Sequence, residues 1–287
     1  MPELDAGQLA AYRARTFHLR PDLRVSTPGE ALQFVDERGF TYFWPIKGVI
    51  MLSLWAAVTG GRPVASAHDD PGHVSWAWKD DMLDKRQWYY AKVLRGKATL
   101  IALATAPYFY ALSESYDDPE HDYLQLYEDG LLSQQARAIY ETLLQRGPLD
   151  TVNLRRATRM TSKSSNSPFA RGLTELQRDF KILPVGVAQT GSWRYSFIYE
   201  LVHRHYPDLP KQARAISCKA ACQKLVELYF DSVGAATMAD ARRLFQWRPR
   251  EVKATLRALV ESGRLCAGYG LENRPGEHFV AARLLEA

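Results

Sequence analysis

The pattern of hydrophobic and polar positions repeats twice in the second half of the chain. One copy reads ARAIYETLLQRGPLDTVNLRRATRM and, after a polar turn, FARGLTELQRDFKILPVGV; the other reads CQKLVELYFDSVGAATMADARRLFQW and then RPREVKATLRALVESGRLCAGY. Each copy predicts an apolar helix, a turn marked by Gly147 or Gly234, a short helix, a second turn, a longer amphipathic helix and two short apolar strands. The last helices carry matching leucines, spaced as one buried stripe requires: Leu173 and Leu176, Leu256 and Leu259.

Three helices followed by a two-stranded wing form a winged helix-turn-helix unit, and the repeat predicts two such units in tandem. Thr151 and Thr237 open the short helices, where a hydroxyl can accept a hydrogen bond from a free backbone N–H at the N-cap or in the first turn. The predicted fold is therefore mostly α with small β-hairpins, built from tandem winged helix-turn-helix units. Any other three-helix unit with a hairpin gives the same pattern, and that alternative is open at this level.

Turn-rich segments divide the chain into three blocks. The acidic SESYDDPEHD ends an aromatic-rich block, and HYPDLPKQ ends the next one. We predict an N-terminal winged-helix-like domain over residues 1–125, a second winged-helix domain over 126–210 and a third over 211–287. A chain of 287 residues is long enough for two or three domains.

Composition narrows the classes of partner. The formal charge of +5 and the pI of about 9.0 are a mild excess that suits a polyanion. The longest apolar stretch, Val49 to Val58, is too short to span a bilayer, so we expect no membrane contact. Three cysteines, an odd number, argue against a disulfide framework and for a reducing cytoplasm. None has the spacing of a zinc site, so we expect neither a metal nor another cofactor.

Basic side chains recur at the same place in both repeats, on and just before the last helix. Arginine and lysine at this position of a winged helix contact DNA phosphates. A solvated helix face would carry the same residues, as would a winged helix that docks proteins. The residues to which we assign DNA contacts are Arg155, Arg156, Arg159, Lys163, Arg171, Arg178, Arg248 and Arg250.

The stretch SWAWKDDMLDKRQWYYAKVLRGKAT, Ser75 to Thr99, combines aromatic rings with positive charge. Its basic residues predict a track along DNA phosphates. The residues assigned to this track are Lys79, Lys92, Arg95 and Lys97. A tryptophan would stack on an unpaired or flipped base, with Trp44, Trp76 and Trp78 as candidates. In the plainer interpretation these rings build the core of the first domain.

Asp80 and Asp81 supply the carboxylates of the same stretch. Either of them could activate a water molecule at a glycosidic bond, and both are therefore candidate catalytic residues. Asp81 and Lys85 also have the i,i+4 spacing of a surface ion pair on a helix, which is a purely structural alternative.

The repeat LLQRGPLDTVNLRRATRM…FARGLTELQRDFKILPVGV and its echo LVELYFDSVGAATMADARRLFQWRPREVKATLRALVESGRL resemble the tandem winged-helix DNA glycosylases that unhook interstrand crosslinks, the AlkZ/YcaQ-like family. The resemblance is best over residues 135–268. It implies three winged helices around a DNA-binding groove. It also implies a catalytic triplet in the first of them, consisting of Gln, an aliphatic residue and then Gln or Asp.

The stretch GFTYFWPIKGVIMLSLW, Gly39 to Trp55, matches the motif region of that family, with LSLW similar to a family Leu-x-Leu-Trp. Tyr42, Phe43 and Trp44 then occupy the position of the triplet, and no Gln-aliphatic-Gln or Gln-aliphatic-Asp sequence occurs in the chain. An amide or carboxylate is needed to position water for glycosidic cleavage, and rings do not supply one. We therefore expect Tyr42 and Trp44 to contact DNA and the triplet to contribute no catalysis.

These inferences favour a cytoplasmic protein that binds duplex DNA, above all distorted or damaged DNA. Two alternatives are kept. One is an active glycosylase that uses Asp80 or Asp81; the other is a transcriptional regulator or a winged-helix scaffold for protein docking.

Overall fold

The computed structural model describes residues 2–67, 69–113, 118–191, 194–272 and 274–286. The predicted boundary segment SESYDDPEHD lies partly outside these residues, at positions 114–117.

A short N-terminal segment precedes the first winged-helix unit. The elements of this part are β1 (Glu3–Leu4), α1 (Ala6–Thr16), α2 (Pro28–Arg38), β2 (Phe40–Tyr42), α3 (Leu54–Thr59), α4 (Val74–Asp81), β3 (Tyr89–Ala91) and β4 (Thr99–Ile101). Helix α2 begins with a capping box between Thr27 and Glu30 and ends at Gly39, whose φ is +79°. A Cβ at Gly39 would lie 2.7 Å from Leu228 Cδ1, so the turn into β2 requires glycine.

Two connecting helices lead into the second unit. The elements are α5 (Ala106–Tyr110), α6 (Asp122–Glu128), α7 (Gln134–Arg146), β5 (Leu149–Asp150), α8 (Thr151–Ala157), α9 (Asn166–Arg178), β6 (Ile182–Ala188) and β7 (Ser196–Leu201). Helix α7 ends at Gly147, whose φ is +76°. Asp150 caps α8 by accepting hydrogen bonds from the N–H groups of Val152 and Asn153, and Thr151 occupies the first turn.

The third unit repeats this order. Its elements and the helices beside it are α10 (Val202–His205), α11 (Leu209–Arg214), α12 (Cys218–Val233), β8 (Ala235–Thr237), α13 (Met238–Phe245), α14 (Pro249–Glu261), β9 (Leu265–Leu271), β10 (Arg274–Ala281) and α15 (Ala282–Leu285). Helix α12 ends at Gly234, whose φ is +76°, and Thr237 caps α13 through a capping box with Asp240. The corresponding turns of the two repeats are therefore built alike, as the sequence predicts.

Each unit has the strand topology of a winged helix. The sheet orders are β2-β4-β3, β5-β7-β6 and β8-β10-β9, so that in every unit the first strand pairs with the third and the third pairs with the second. All of these pairings are antiparallel, and β1 extends the last sheet by pairing in parallel with β9. The prediction of a mostly helical fold with small hairpins, built from tandem winged helices, is confirmed, and the first block contains a third unit.

The third helix of each repeat buries the predicted stripe. Leu176 of α9 and Leu256 of α14 are at most 1% exposed, and their partners Leu173 and Leu259 are also buried. Helices α9 and α14 therefore pack one apolar face on the core of their own unit and leave the opposite face to solvent.

The first and third units share one hydrophobic core. Phe40 of the first unit contacts Phe245 of the third, with 6.1 Å between ring centroids. The second unit has its own cluster but inserts Phe180 into the shared core, where this ring stacks on Tyr89 at 4.4 Å. The three units thus hold one another in fixed positions. The domain boundaries at residues 125 and 210 remain predictions.

No helix within the described residues combines the length and the apolar character needed to cross a membrane. Cys218, Cys222 and Cys266 are free thiols. The part of the chain that the structure describes contains no group of three or more side chains suited to hold a metal ion.

Candidate nucleic-acid interface

Helix α4 carries most of the side chains of the candidate site. It follows a 3-10 turn, Pro71–His73, that Asp70 caps by accepting a hydrogen bond from the N–H of Gly72 at 2.7 Å. Trp78 lies on the buried face of α4 and is 7% exposed, whereas Trp76 is 38% exposed. Trp78 therefore belongs to the core of the first unit, whereas Trp76 is the tryptophan of α4 that reaches the surface.

Several rings gather beside Trp76. Trp44, which is half-buried, lies 6.1 Å from Trp76 between ring centroids and 5.2 Å from Trp55. His73 lies 5.8 Å from Trp44. The edge-to-face and tilted angles are those that aromatic pairs prefer, so the two partly exposed indoles are held by packing.

Lys79 is buried in a cage of rings. Only 2% of the residue is exposed, and the rings of Phe197 and Tyr90 lie 4.5 and 5.0 Å from its Nζ. Its ammonium group also donates a hydrogen bond to Asp80 and another to the hydroxyl of Tyr195 at 3.2 Å. Burial lowers the pKa of Lys79, and the charge of Asp80 opposes this effect. The burial of Lys79 argues against its predicted contact with DNA; sequence does not distinguish a caged cation from an exposed one.

Tyr195 joins the second unit to this site. It lies in the wing between β6 and β7, and its hydroxyl accepts a hydrogen bond from Trp76 Nε1 at 3.0 Å. The same hydroxyl donates to Asp80 Oδ1 at 3.0 Å. Burial raises the pKa of Tyr195, so the phenol keeps the proton that it donates. We call Trp44, Trp76, Lys79, Asp80 and Tyr195 the α4 cluster.

The two candidate carboxylates differ in their surroundings. The side chain of Asp80 is 18% exposed, and its Oδ1 accepts both hydrogen bonds named above. Among the described residues, no hydrogen bond to its Oδ2 is found. Asp81 is exposed and lies outside the α4 cluster. Within the same residues it forms no ion pair with Lys85 either, and only Asp80 is placed where it can act together with the rings.

The triplet that follows Thr41 lies against the α4 cluster. Tyr42 is 1% exposed, and its hydroxyl has no hydrogen-bond partner among the described residues. Burial holds the pKa of Tyr42 above its ordinary value. Phe43 is 2% exposed, and its ring lies 5.9 Å from Lys79 Nζ. The burial of Tyr42 argues against its predicted contact with DNA, since all three residues of β2 are buried, and of the triplet only Trp44 reaches the surface.

One Gln-x-Asp spacing does occur in the chain, at Gln177, Arg178 and Asp179, with arginine in the middle position. Gln177 is 1% exposed, donates to the Leu173 carbonyl at 2.9 Å and accepts from the Lys92 N–H at 3.2 Å. Asp179 accepts two hydrogen bonds from Arg178. The contact between Gln177 and Lys92 ties α9 to the wing of the first unit, and all three side chains of this triplet are engaged in contacts within the protein.

The remaining basic residues divide by exposure. Arg155 is half-buried, donates to Asn166 Oδ1 at 2.6 Å and lies over the ring of Phe169 at 5.2 Å, so it holds the turn between α8 and α9 together. Arg95 is also half-buried and donates to the carbonyl of Arg243 at 2.5 Å. The predicted contact residues with exposed side chains are Lys92, Lys97, Arg156, Arg159, Lys163, Arg171, Arg178, Arg248 and Arg250.

Sequence reasoning missed Tyr195 and the caging rings Tyr90 and Phe197. Tyr195 follows Arg194 in a turn between two short strands, and aromatic and basic residues at the tip of a wing are the signal that was available. Their proximity to α4 depends on how two units pack, which no local pattern reports.

Comparison with known proteins supplies independent information. The sequence model of a family described as AlkZ related matches residues 25–246. Among solved structures, the DNA glycosylase AlkZ of Streptomyces sahachiroi is similar, with a TM-score of 0.60 and 14% sequence identity over 99% of this chain and 71% of that one. No curated protein matches in sequence. At this identity the structural likeness concerns the fold.

Proposed function

This chain belongs to the AlkZ-related family, and from that premise we propose that it binds DNA and recognises sites at which the duplex is distorted or damaged. The proposal takes its substrate class from the family and its mode of recognition from the α4 cluster.

The observation that carries the proposal is the fixed, partly exposed ring of Trp76. Its indole N–H is bonded to Tyr195, and its ring lies beside Trp44. A ring already held in one orientation loses little side-chain entropy when a base stacks on it. A base at an abasic, mismatched or damaged site is already partly unstacked, so less free energy is needed to bring it onto the indole.

Exposed cations supply the phosphate contacts of the proposal. Helix α9 is the third helix of its unit, the position of a recognition helix, and Arg171 and Arg178 are exposed on it. Arg156 and Lys163 are exposed on the preceding helix and turn. Phosphate contacts of this kind set affinity and depend steeply on salt, whereas the ring sets the preference for distorted sites.

The chemistry at the triplet follows from its side chains. Tyr42 and Phe43 are buried, and Trp44 offers a ring and an N–H donor but no acceptor for a water proton. We propose that this position serves recognition. A second candidate function, hydrolysis of a glycosidic bond, is favoured by one observation, the partly exposed Asp80 with its Oδ2 oriented by two hydrogen bonds on Oδ1. Such a carboxylate can hold a water molecule.

The test compares two fluorescently labelled duplexes, both with 5′-hydroxyl ends, that differ only by a central tetrahydrofuran abasic-site analogue. We expect the abasic duplex to bind at least tenfold more tightly by anisotropy, and binding of both duplexes to weaken steeply between 50 and 200 mM salt, as about six phosphate contacts require. The double variant Arg156→Ala with Arg171→Ala should weaken both duplexes alike.

The matched control is Lys211→Ala with Lys219→Ala, which removes two exposed charges from α11 and α12 and should leave binding unchanged. Equal affinity for the two duplexes, or binding that does not respond to salt, contradicts the proposal.

A further inference from the structure

A cleft lies where the wing of the first unit meets the helix-turn-helix of the third. It has a volume of about 560 Å³, within the range of small-molecule sites. We call it the arginine cleft; its lining residues are Arg95, Ala239, Arg242, Arg243, Gln246, Trp247, Arg248 and Pro249. It shares no residue with the α4 cluster.

The arginine cleft concentrates positive charge. Four of its lining residues are arginines and none is acidic. Within the described part of the chain, none of the four forms an ion pair with a carboxylate. Like charges held around one cavity repel one another, and a bound anion removes that repulsion.

Two of the arginines are fixed in place. Arg95 donates from Nη1 to the carbonyl of Arg243 at 2.5 Å, and its Nε is buried without a partner among the described residues. Arg243 donates to the carbonyl of Gly48 at 2.9 Å. Arg95 and Gln246 have φ values of +56° and +59°, a strained conformation for side-chain-bearing residues. The cleft is therefore preformed, and its lining is held by contacts between units.

An aromatic ring and a helix end complete the cleft. Trp247 is half-buried and stacks on Phe245, with 4.4 Å between centroids and 18° between the rings. Helix α14, which is 13 residues long, begins at Pro249, so its positive dipole end lies at the same place, where Glu251 accepts a hydrogen bond from the Arg248 N–H at 3.1 Å. Guanidinium groups and helix N-termini both favour phosphate, and an indole favours a planar ring.

We propose that the arginine cleft is a nucleotide site, which binds a phosphate with Arg242 and Arg248 and receives the base on Trp247. Such a nucleotide is either free in solution or the 5′-terminal nucleotide of a DNA strand. The site goes beyond the binding of internal distortions at the α4 cluster, since it needs a terminal or free phosphate and uses different residues.

The experiment titrates the whole protein by calorimetry with dAMP, deoxyadenosine and inorganic phosphate. We expect dAMP to bind at least tenfold more tightly than either fragment. Arg242→Gln and Arg248→Gln, which leave the Arg95–Arg243 contacts intact, should each weaken dAMP at least tenfold, and Trp247→Leu should bring dAMP down to the affinity of inorganic phosphate. Lys211→Gln, which removes an exposed charge from α11, is the charge-matched control and should leave dAMP binding unchanged.

A second arm separates the two sources with a duplex that carries either a 5′-phosphate or a 5′-hydroxyl. If the ligand is the terminal nucleotide of a strand, the phosphorylated duplex binds more tightly than the 5′-hydroxyl duplex, and Arg242→Gln abolishes this preference. If the ligand is a free nucleotide, the two duplexes bind with equal affinity. Thermal melting of each variant identifies any loss of folding. Absence of both dAMP binding and discrimination of the 5′-phosphate overturns the proposal. The proposal is also overturned if dAMP and inorganic phosphate bind with equal affinity and Trp247→Leu changes neither affinity. The assay for distorted sites uses duplexes with 5′-hydroxyl ends, so its outcome does not depend on whether the arginine cleft binds a nucleotide.

Discussion

Tyr195, in the wing of the second unit, donates its hydroxyl proton to Asp80 at the end of helix α4 in the first unit, with 3.0 Å between Oη and Oδ1. The same hydroxyl accepts hydrogen bonds from Trp76 and Lys79. One phenol therefore orients a ring, an ammonium group and a carboxylate at once. The geometry of the α4 cluster depends on the packing of two units rather than on α4 alone.

The Tyr195→Phe variant tests this dependence. It keeps the ring in the cage but removes the hydrogen bond that the Trp76 indole N–H donates, and one of the two that the Lys79 ammonium donates within the described residues. We expect the free energy of unfolding to fall by about 1–2 kcal/mol, measured with urea. Tyr108→Phe is the control, because its ring is half-buried and its hydroxyl has no hydrogen bond within the described residues; it should change stability by less than about 0.5 kcal/mol. Equal effects would contradict the role given to Tyr195.

The burial of Lys79 predicts that the stability of the protein depends on pH. Its pKa is lowered in the folded protein from the ordinary value of 10.5, with burial as the main cause. Between the lowered pKa and 10.5 the unfolded chain binds a proton that the folded chain does not, so stability contributed through this group rises with pH. The difference in unfolding free energy between the native protein and Lys79→Met should therefore increase in favour of the native protein as pH rises toward 10.5. A difference that stays flat or decreases argues against a caged ammonium.

Adjacent arginines on α8 should separate stability from binding. Arg155 bonds to Asn166 and lies over Phe169, so Arg155→Ala should lower the free energy of unfolding by about 1–2 kcal/mol. Arg156 is exposed and bonds within its helix, to Asn153 at 3.3 Å. Arg156→Ala should change stability by less than about 0.5 kcal/mol while weakening DNA binding uniformly across sequences. Urea unfolding and anisotropy on the same preparations measure both. If Arg155→Ala weakens DNA binding and Arg156→Ala lowers the free energy of unfolding instead, Arg155 is the phosphate contact.

The triplet position predicts no release of N7-alkylated purine from DNA under single-turnover conditions. Neither Tyr42, Phe43 nor Trp44 supplies an amide or carboxylate for water. Appreciable release, quantified by chromatography of the free base, would contradict this prediction. In that case loss of release in Asp80→Asn but not in Asp81→Asn would assign the reaction to the partly buried carboxylate of the α4 cluster.

The tandem units were predictable because their signals are local. A glycine at the end of α7 or α12 adopts positive φ, a capped short helix follows, and leucines one turn apart mark the buried stripe. The first unit lacks such regularity. Long connections separate β2 from α3 and α3 from α4. Its elements therefore became clear only from the strand pairing.

The site was predictable only in part. The stretch around α4 was singled out from its rings and charges, but neither feature of a sequence reveals burial, so Lys79 and Tyr42 were assigned to DNA although both lie in the core. The cage of Lys79 is completed by Phe197 and Tyr195, more than a hundred positions away. Contacts of this kind arise from tertiary packing between units, for which periodicity and spacing carry no signal.

The most direct test of recognition by the α4 cluster compares Trp76→Ala with Trp78→Ala. Trp78 is 7% exposed, so its truncation should lower the free energy of unfolding by about 3–5 kcal/mol. Trp76 is 38% exposed, and its truncation should cost far less stability.

The decisive measurement is the affinity ratio of Trp76→Ala for the abasic and the perfect duplex, taken by anisotropy at a temperature at which the variant is fully folded. We predict a ratio near one, against at least ten for the native protein, with affinity for the perfect duplex unchanged. A folded Trp76→Ala protein that keeps the native ratio would contradict recognition through the α4 cluster.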